Sequence, residues 1–511
     1  MTTSTSAHPG PRRIVSTVPA DALPERAAAL LAGGARLALV AGHDDRPSGG
    51  GLRTVHLFVQ PGVDVRTELH VHLDPGRPAI PSLAALSFPA GRFERELRDL
   101  FGIEPAGHPL PRRLVRHFHW PRGWYPMLSD AGPAPAFGDP DGPYPFRPVD
   151  GPGVYEIPVG PVHAGMIEPG HFRFSVVGET ILKLKARLWF VHRGLEKLVE
   201  GRDPADALEI AQRASGDTTV GHGVAFCQAV EDALGVDVGP QTHRLRAVLL
   251  ELERLYNHVN DLGALCNDVG HGILNAHAQR VRERLLRLND QVTGHRLLRG
   301  AVVPGGAAVH ALPDPAVLAR VAADVAEIAG LALGHSVVHD RFAGTAVLTR
   351  DQAAELGTLG YVARASGLAV DARHDHPTLP GELPRATHTH TGGDVLARFQ
   401  VRREEIDLAV ATIAALAERL DGPAHRVDPH ARPGAGRSGV GRSGVGIVEG
   451  WRGTITHRVE LADDGTVRRL RIVDPSFFNW PALPVALADT IVPDFPLVNK
   501  SFNLSYAGND L

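Results

Sequence analysis

Apolar residues change their spacing several times along the chain. Between about Pro24 and Gly33 they recur at helical intervals. Leu37–Val40, Val55–Val59 and Leu69–Leu73 then alternate or cluster as strands do. Phe93, Leu97 and Leu100 lie about one helical turn apart and predict a further short helix. Together these segments make a small α+β domain over residues 13–125. The stretch 129–153, SDAGPAPAFGDPDGPYPFRPVDGPG, is too rich in Pro, Gly and Asp for either period, so residues 126–153 are expected to form a linker. Beyond it the steps become three and four. Ile181, Leu184, Leu188, Val191, Leu195 and Leu198 form one stripe that predicts a helix. Leu245, Val248, Leu249, Leu252, Leu255, Tyr256 and Val259 form a wider one, and further periodic segments lie near 275–293, 314–337 and 402–420. A bundle of long helices buries such stripes economically. Near the end, Thr454–Leu461 and Thr466–Val473 flank Asp463-Asp464-Gly465, a hairpin signature. A glycine-rich tract before it holds GRSGV twice, at 436–440 and 441–445, and reads as flexible. The expected fold class is therefore α+β: a small N-terminal α+β domain (13–125), then a large, mainly α-helical bundle domain with peripheral β-hairpins (154–511).

Composition narrows the function by exclusion. A net charge of −4 gives no broad electrostatic case for nucleic acid. The N-terminal MTTSTSAHPGPRRIV lacks the apolar core of a signal peptide, and no apolar run approaches the roughly 18–20 residues that cross a bilayer. The expected place is cytoplasmic, with no direct membrane span. Two cysteines, Cys227 and Cys266, are too few for a disulfide framework or a four-thiolate cluster and read as small buried hydrophobes. His374 with His376, and His388 with His390, alternate in a Pro/Thr/Gly-rich stretch; in an extended segment each pair shares a face, yet no cysteine is near and no native metal is expected. No G-x-G-x-x-G opens a helix after a strand, which argues against an NAD site.

Several strings are more specific. FERELRDLFGIEPAGHPLPRRL (93–114) resembles the signature of the 30-kDa subunit of respiratory complex I. GPVHAGMIEPGHFRF (160–174), VHRGLEKL (191–198), LERLYNHVNDLG (252–263), NDVGHGILNA (267–276), RGAVVPGG (299–306) and EGWRG (449–453) resemble the large subunit of membrane-bound nickel–iron hydrogenases of the formate-hydrogenlyase type, and its relative, the 49-kDa subunit of complex I. The resemblance is colinear over about residues 30–511, and fusion of the two modules is itself typical of the formate-hydrogenlyase type.

The departure from that family is as plain. Its active members resemble R-x-C-G-x-C-x-x-x-H early in the bundle and C-x-x-C near the C-terminus. Here the first string is Arg213-Ala-Ser215-Gly-Asp-Thr218-Thr-Val-Gly-His222, and the second is Ser505-Tyr-Ala-Gly508. Ser215, Thr218, Ser505 and Gly508 thus stand at the four ligand positions, and a nickel–iron centre needs soft, deprotonated sulfur. The resemblance implies a vacant cleft, with no cofactor bound by this chain. The chain also ends three residues beyond Gly508, so no removable C-terminal tail is expected.

What remains is implied by the two branches of the family. His163 falls at the position of the quinone-contacting histidine of complex I, making quinone a candidate acceptor, although the tyrosine that partners it there has no counterpart in 213–222. Glu168, in Ile167-Glu-Pro-Gly-His171, resembles the glutamate that relays protons in hydrogenases; a carboxylate in a low-dielectric cleft suits proton exchange near neutral pH. Its alternative is an ion pair with Arg193 or Arg213. His171, His222 and Asp510 are expected on the same cavity wall, Trp451 near it, and Arg193 and Glu196 either facing a partner or forming an internal salt bridge. The implied partners are a small iron–sulfur subunit carrying a [4Fe–4S] cluster, and membrane-embedded antiporter-like and anchor subunits that hold the chain on the inner face of the plasma membrane. The expected role is a subunit of a hydrogenase-related, complex-I-like oxidoreductase; a non-catalytic docking subunit of the same kind of complex, or a hydrogenase with unusual ligands, are the alternatives.

Overall fold

The computed structural model describes residues 12–74, 76–138, 141–163, 167–384, 387–427 and 442–511. The chain divides into two compact units. One gathers the described residues up to Pro145 together with Ala372–Leu383; the other holds Phe146–Asp371 and Pro384–Leu511.

In the first unit, β1 (Arg12–Thr17), α1 (Leu23–Ala32), β2 (Arg36–Asp44), β3 (Leu52–Gln60) and β4 (Val65–His72) are followed by α2 (Phe88–Phe101). The sheet order is β1-β4-β3-β2, with β1 parallel to β4 and the other pairs antiparallel. The stripe Phe93, Leu97 and Leu100 is buried as expected, and α2 packs so closely on β2 that a side chain at Gly42 would meet Phe101 at 2.7 Å. Two acids of the 93–114 string serve backbone: Glu94 accepts from Leu83 N (2.6 Å) and Asp99 from Leu114 N (2.6 Å). The linear reading of domains did not anticipate that Ala372–Leu383 joins this unit. His376 Nδ1 meets Asp64 Oδ1 at 2.8 Å, and Gly62 N donates to Asp375 O. Ala372–Asp375 is a short helix, so the shared-face argument for His374 and His376 fails.

The second unit opens with an antiparallel sheet of β5 (Val154–Val159), β6 (His171–Val177) and β7 (Thr180–Arg187). Here the helix predicted from Ile181 to Leu198 is corrected: its first part is β7, and only Leu195–Leu198 is helical. A bulge explains the misleading period. Val176 pairs with Ile181 but Ser175 with Lys183, so Leu182 is skipped, and Ile181 and Leu184, three apart, both face inward.

The long helices follow: α3 (Thr219–Leu234), α4 (Gly239–Asp268), α5 (Gly272–Thr293), α6 (Pro315–Gly334) and α7 (Val395–Ala417). The wide apolar stripe of α4 is buried from Leu245 to Val259 and packs on α5 and α7. A buried ion cluster fixes the same seam, with Glu405 of α7 accepting from Arg254 (3.2 Å) and His258 (2.8 Å) of α4. Cys227 and Cys266 are buried, and burial pushes the Cys266 thiol up to about 12. The chain ends in a three-stranded antiparallel sheet, β8 (Ser443–Gly450), β9 (Gly453–Leu461) and β10 (Val467–Val473), and a terminal turn of helix, α8 (Tyr506–Asp510). The predicted hairpin is β9–β10. The first GRSGV copy lies outside the described residues. Most of the second is strand rather than flexible tract, because Gly444 and Gly446 let α3 approach: a side chain at Gly446 would meet Ala225 O at 1.9 Å. With 42% helix and 19% strand the class is α+β, and no helix among the described residues is long and apolar enough to cross a membrane.

Candidate functional site

Two chain segments far apart in sequence meet at the centre of the second unit. The turn 213–218 leads into α3, and Ser505 caps α8, its Oγ accepting from Gly508 N at 2.8 Å. Ser215 Oγ and Ser505 Oγ lie 2.8 Å apart. Ser215 Oγ donates to Asp217 Oδ1 (2.9 Å), and Thr218 Oγ1 donates to the same oxygen (3.0 Å). The proton order that serves every group runs from Ser505 to Ser215 to Asp217. The four expected ligand positions are therefore drawn together, and all four are buried. Two of their hydroxyls, Ser215 and Thr218, converge on one carboxylate, and the third, Ser505, joins them through Ser215.

That carboxylate, itself half-buried, is gripped by the buried Arg452. Its Nη1 and Nη2 reach Asp217 Oδ1 and Oδ2 at 2.6 and 2.7 Å, its Nη1 also reaches Thr218 Oγ1 (3.3 Å), and its Nε donates to Asn503 O (2.6 Å). Trp451 lies near the cluster as expected: its Nε1 donates to Asp217 O and Thr218 Oγ1, both at 3.1 Å, and its ring stacks against the Arg452 guanidinium. The β8–β9 turn, EGWRG, thus delivers one cation that pins the 213–218 turn to the segment before α8. Burial by itself would raise Asp217; the Arg452 charge and hydrogen bonds overcome it and hold the carboxyl at about 2.

Beneath Gly508 sits a second buried pair. A side chain at Gly508 would meet the Asp474 carboxyl at 2.7 Å. Asp474 Oδ2 contacts His222 Nε2 (3.0 Å), and His222 Nδ1 contacts His457 Nε2 (3.0 Å). With Asp474 ionised, His222 donates from Nε2 and accepts at Nδ1 from His457. Burial and the neighbouring His222 keep His457 neutral.

Two further buried carboxyls border the site, neither hydrogen-bonded to a guanidinium among the described residues. Glu253 of α4 accepts from Val220 N (2.6 Å) and Gly221 N (3.0 Å) at the start of α3, and burial lifts it to about 8. Asp510 accepts from Val191 N (3.1 Å) and Asn509 Nδ2, and burial lifts it to about 6.

The remaining expected residues sit at the edge. Glu168 is exposed, not enclosed in a low-dielectric cleft; its Oε2 accepts from Ala507 N at 3.0 Å, between Ser505 and Gly508. Neither arginine offered for it is hydrogen-bonded to it among the described residues, although Arg193 is near enough for the Glu168 charge to act on it. Arg193 donates to Arg213 O and Ala214 O, and Arg213 pairs with Glu209. His163 Nε2 bonds Gly170 O (2.8 Å) and His171 Nδ1 bonds Gly160 O (3.0 Å), so the two histidines tie residues 160–163 to 170–171, while His171 Nε2 is buried with no hydrogen-bond partner among the described residues. Glu196 takes Arg469 (2.7 Å) and Arg471 (3.0 Å) of β10, an internal salt bridge. His388 and His390 both face Glu404, at 3.6 and 3.1 Å. Asp217, Arg452, Asp474 and His457 were not singled out from sequence. Asp474-Pro475 after a strand is a helix-start signal that marks the first turn of a site element.

Comparison with known proteins decides the family. The description "Respiratory-chain NADH dehydrogenase, 49 Kd subunit" matches residues 268–443, its 30 Kd counterpart matches 16–135, and "Nickel-dependent hydrogenase" matches 193–265. Formate hydrogenlyase subunit 5 of Escherichia coli is 31% identical over 496 residues, covering 93% of this chain and 85% of that protein. Hydrogenase-4 component G of the same organism is 33% identical over 434 residues, covering 82% and 73%. The chain belongs to this large-subunit family. A chain of an archaeal respiratory membrane complex, the membrane-bound sulfane sulfur reductase, superposes with a TM-score of 0.63 at 24% identity, covering 71% of this chain and all of that one.

Proposed function

We propose that this member of the family is a subunit of a hydrogenase-related, complex-I-like, membrane-associated oxidoreductase, that it holds no nickel–iron centre, and that its buried carboxyls exchange protons while a partner's [4Fe–4S] cluster passes electrons. One observation supports the reading: the Asp217–Arg452 ion pair takes up the hydroxyls of Ser215 and Thr218, with Ser505 and Gly508 linked to it through Ser215. Hydroxyls are hard donors that stay protonated near neutral pH, and glycine offers none, so the residue set does not fit nickel with iron. The hydroxyl oxygens also accept within the fold, Thr218 Oγ1 from Trp451 Nε1 and Arg452 Nη1 and Ser505 Oγ from Gly508 N, so lone pairs a metal would need are already engaged.

Proton exchange is favoured over quinone binding by the same geometry. Asp510 at about 6 and Glu253 at about 8 straddle neutrality, the range in which a group trades protons in turnover. Glu168 is exposed and contacts the α8 backbone three residues before Asp510, which suits it as the entry group. His163, the quinone candidate, spends Nε2 on Gly170 O. Electrons and cation movement belong, in this reading, to the small iron–sulfur subunit and to antiporter-like and anchor subunits that keep the chain at the inner face of the plasma membrane.

The test is metal content and turnover of the purified complex. Substoichiometric nickel, no hydrogen-dependent dye reduction, and donor-driven electron transfer whose pH profile shifts in Asp510→Asn and Glu168→Gln are expected. Stoichiometric nickel overturns the reading; an unchanged pH profile in both variants leaves the chain as a docking subunit.

A further inference from the structure

Away from the hydroxyl cluster, the N-terminal unit carries a cavity of about 510 Å³ whose wall includes five arginines. Its wall comes from PRRLVRHFHWPRGWYP (111–126) and the last turn of α2. Asp99, though at the cavity, is turned to backbone: Oδ2 takes the amides of Leu114, Val115 and Arg116 at 2.6, 2.8 and 3.1 Å. This anchors the string and leaves its side chains to splay over the opening.

Carbonyl groups orient the guanidinium heads. Arg98 Nη1 donates to Pro111 O (2.7 Å) while its Nε pairs with Glu104 (3.0 Å); Arg112 Nη1 donates to Pro145 O (2.7 Å) and Arg113 Nη2 to Gly142 O (3.0 Å). A carbonyl fixes a guanidinium in place without cancelling its formal charge. Arg113 Nε is buried with no hydrogen-bond partner among the described residues, a condition that buried donors seldom keep. One carboxylate already shows what this wall accepts. Asp141 arrives on a Pro- and Gly-rich segment, accepts from Arg122 Nε at 2.7 Å, pairs with Arg116, and stands 3.7 Å from Arg113.

We propose that this cavity is a docking site for an extended, Asp- or Glu-rich segment of a partner chain, whose carboxylates take the Arg113 edge beside the one Asp141 already fills. The volume lies in the range of a formed binding pocket and exceeds what a single small anion needs. Trp124 and Tyr125 add apolar wall, which suits the stems between charges on a peptide better than a bare inorganic ion. Guanidinium forks bind carboxylate in two-point fashion, so the site selects for charge and for spacing along the segment. This inference stands apart from the nickel question, since it concerns residues of the other unit and a binding readout.

The test uses the full-length chain and a fluorescein-labelled hexaglutamate peptide, read by anisotropy at physiological ionic strength. Saturable binding is expected, weakened about tenfold or more by Arg113→Gln with Arg116→Gln, the loss that one or two charge-assisted hydrogen bonds represent. Arg122→Gln, an exposed position that leaves the fold intact, is expected to weaken binding severalfold by itself. Arg403→Gln, an exposed arginine of α7 paired with Asp407, is expected to change nothing. Equal loss in that control, or binding unaffected by Arg122→Gln and by the double variant, overturns the proposal. Displacement of the peptide by equimolar pyrophosphate reassigns the cavity to small phosphates and also overturns it.

Discussion

Asp217 and Glu253 border the same turn at the start of α3 and have opposite fates. Asp217 accepts two hydroxyls and a two-point guanidinium contact and is held at about 2; Glu253 accepts two backbone amides and rises to about 8. Burial acts to raise both. The difference lies in Arg452, a full charge within hydrogen-bond distance of one carboxyl and not of the other. One site is therefore locked and the other is left able to take up a proton, which divides a scaffold role from an exchange role within a few residues.

The largest expected effect comes from removing what separates them. Arg452→Met leaves Asp217 with its hydroxyls but no cation, and unties Asn503 O from the β8–β9 turn. Breaking a buried pair on one side costs about 3–5 kcal/mol, and the half-buried state of Asp217 places this case at the lower end. Urea titration, with hydrogen exchange of the α8 amides as the local probe, is expected to show the loss concentrated in 213–218 and 503–511. An unaltered α8 would mean that the guanidinium does not pin the two segments.

The next effect is a pH dependence of opposite sign at the two carboxyls. Glu253 keeps its proton in the folded chain up to about pH 8, whereas an unfolded chain releases it near the ordinary 4.5. Its contribution is present below that lower value and is lost as pH rises from about 4.5 to 8, by up to a few kcal/mol. Asp217 runs the other way: its contribution is present above the ordinary 3.8 and fades as pH falls towards 2. Exchange of the Val220 and Gly221 amides is expected to quicken between pH 5 and 8, after correction for intrinsic rates, and this trend is expected to vanish in Glu253→Gln. A trend that survives the substitution assigns the titration elsewhere.

How far the sequence foretold this arrangement depends on whether a feature was periodic or pairwise. The α4 stripe, the strands of the first unit and the β9–β10 hairpin were legible because burial of one face repeats at a fixed step. The stripe through Ile181 misled because a bulge at Leu182 imitates a helical interval. The strings 213–222 and 505–508 could be matched to each other by family resemblance, and they do meet. What filled the meeting point was not legible, since Asp217 and Arg452 are 235 positions apart and no pattern in either string names the other. The exposed setting of Glu168 was missed for the same reason: its contact is a backbone amide, which leaves no trace in residue identity.

A smaller effect separates steric from chemical causes at Gly508. A methyl group there meets the Asp474 carboxyl at 2.7 Å, and Asp474 is fixed by Ser476 N and His222. Gly508→Ala is expected to cost about 1–3 kcal/mol, measured as a lowered thermal midpoint. The same contact bears on metal recovery. Placing cysteine at Ser215, Thr218, Ser505 and Gly508 together is expected to leave the purified chain without stoichiometric nickel, because the last sulfur is directed at a carboxylate. Nickel uptake by that variant would show that donor chemistry alone distinguishes this site from the family's metal-bearing members.

The smallest change tests the hydroxyl chain itself. Ser215→Ala removes one acceptor for Ser505 and one donor to Asp217, while Arg452 and Thr218 still hold that carboxylate. The loss is expected near 1 kcal/mol, the net value of an ordinary hydrogen bond, and Ser505 retains Gly508 N as its capped amide. In the Arg452→Met background the same substitution removes one of only two hydroxyl donors left to the carboxylate, so its cost is expected to rise well above 1 kcal/mol. Comparing the two backgrounds is a double-mutant cycle, and a coupling near zero would mean that the hydroxyls and the guanidinium act independently, with Asp217 no longer the point on which the site converges.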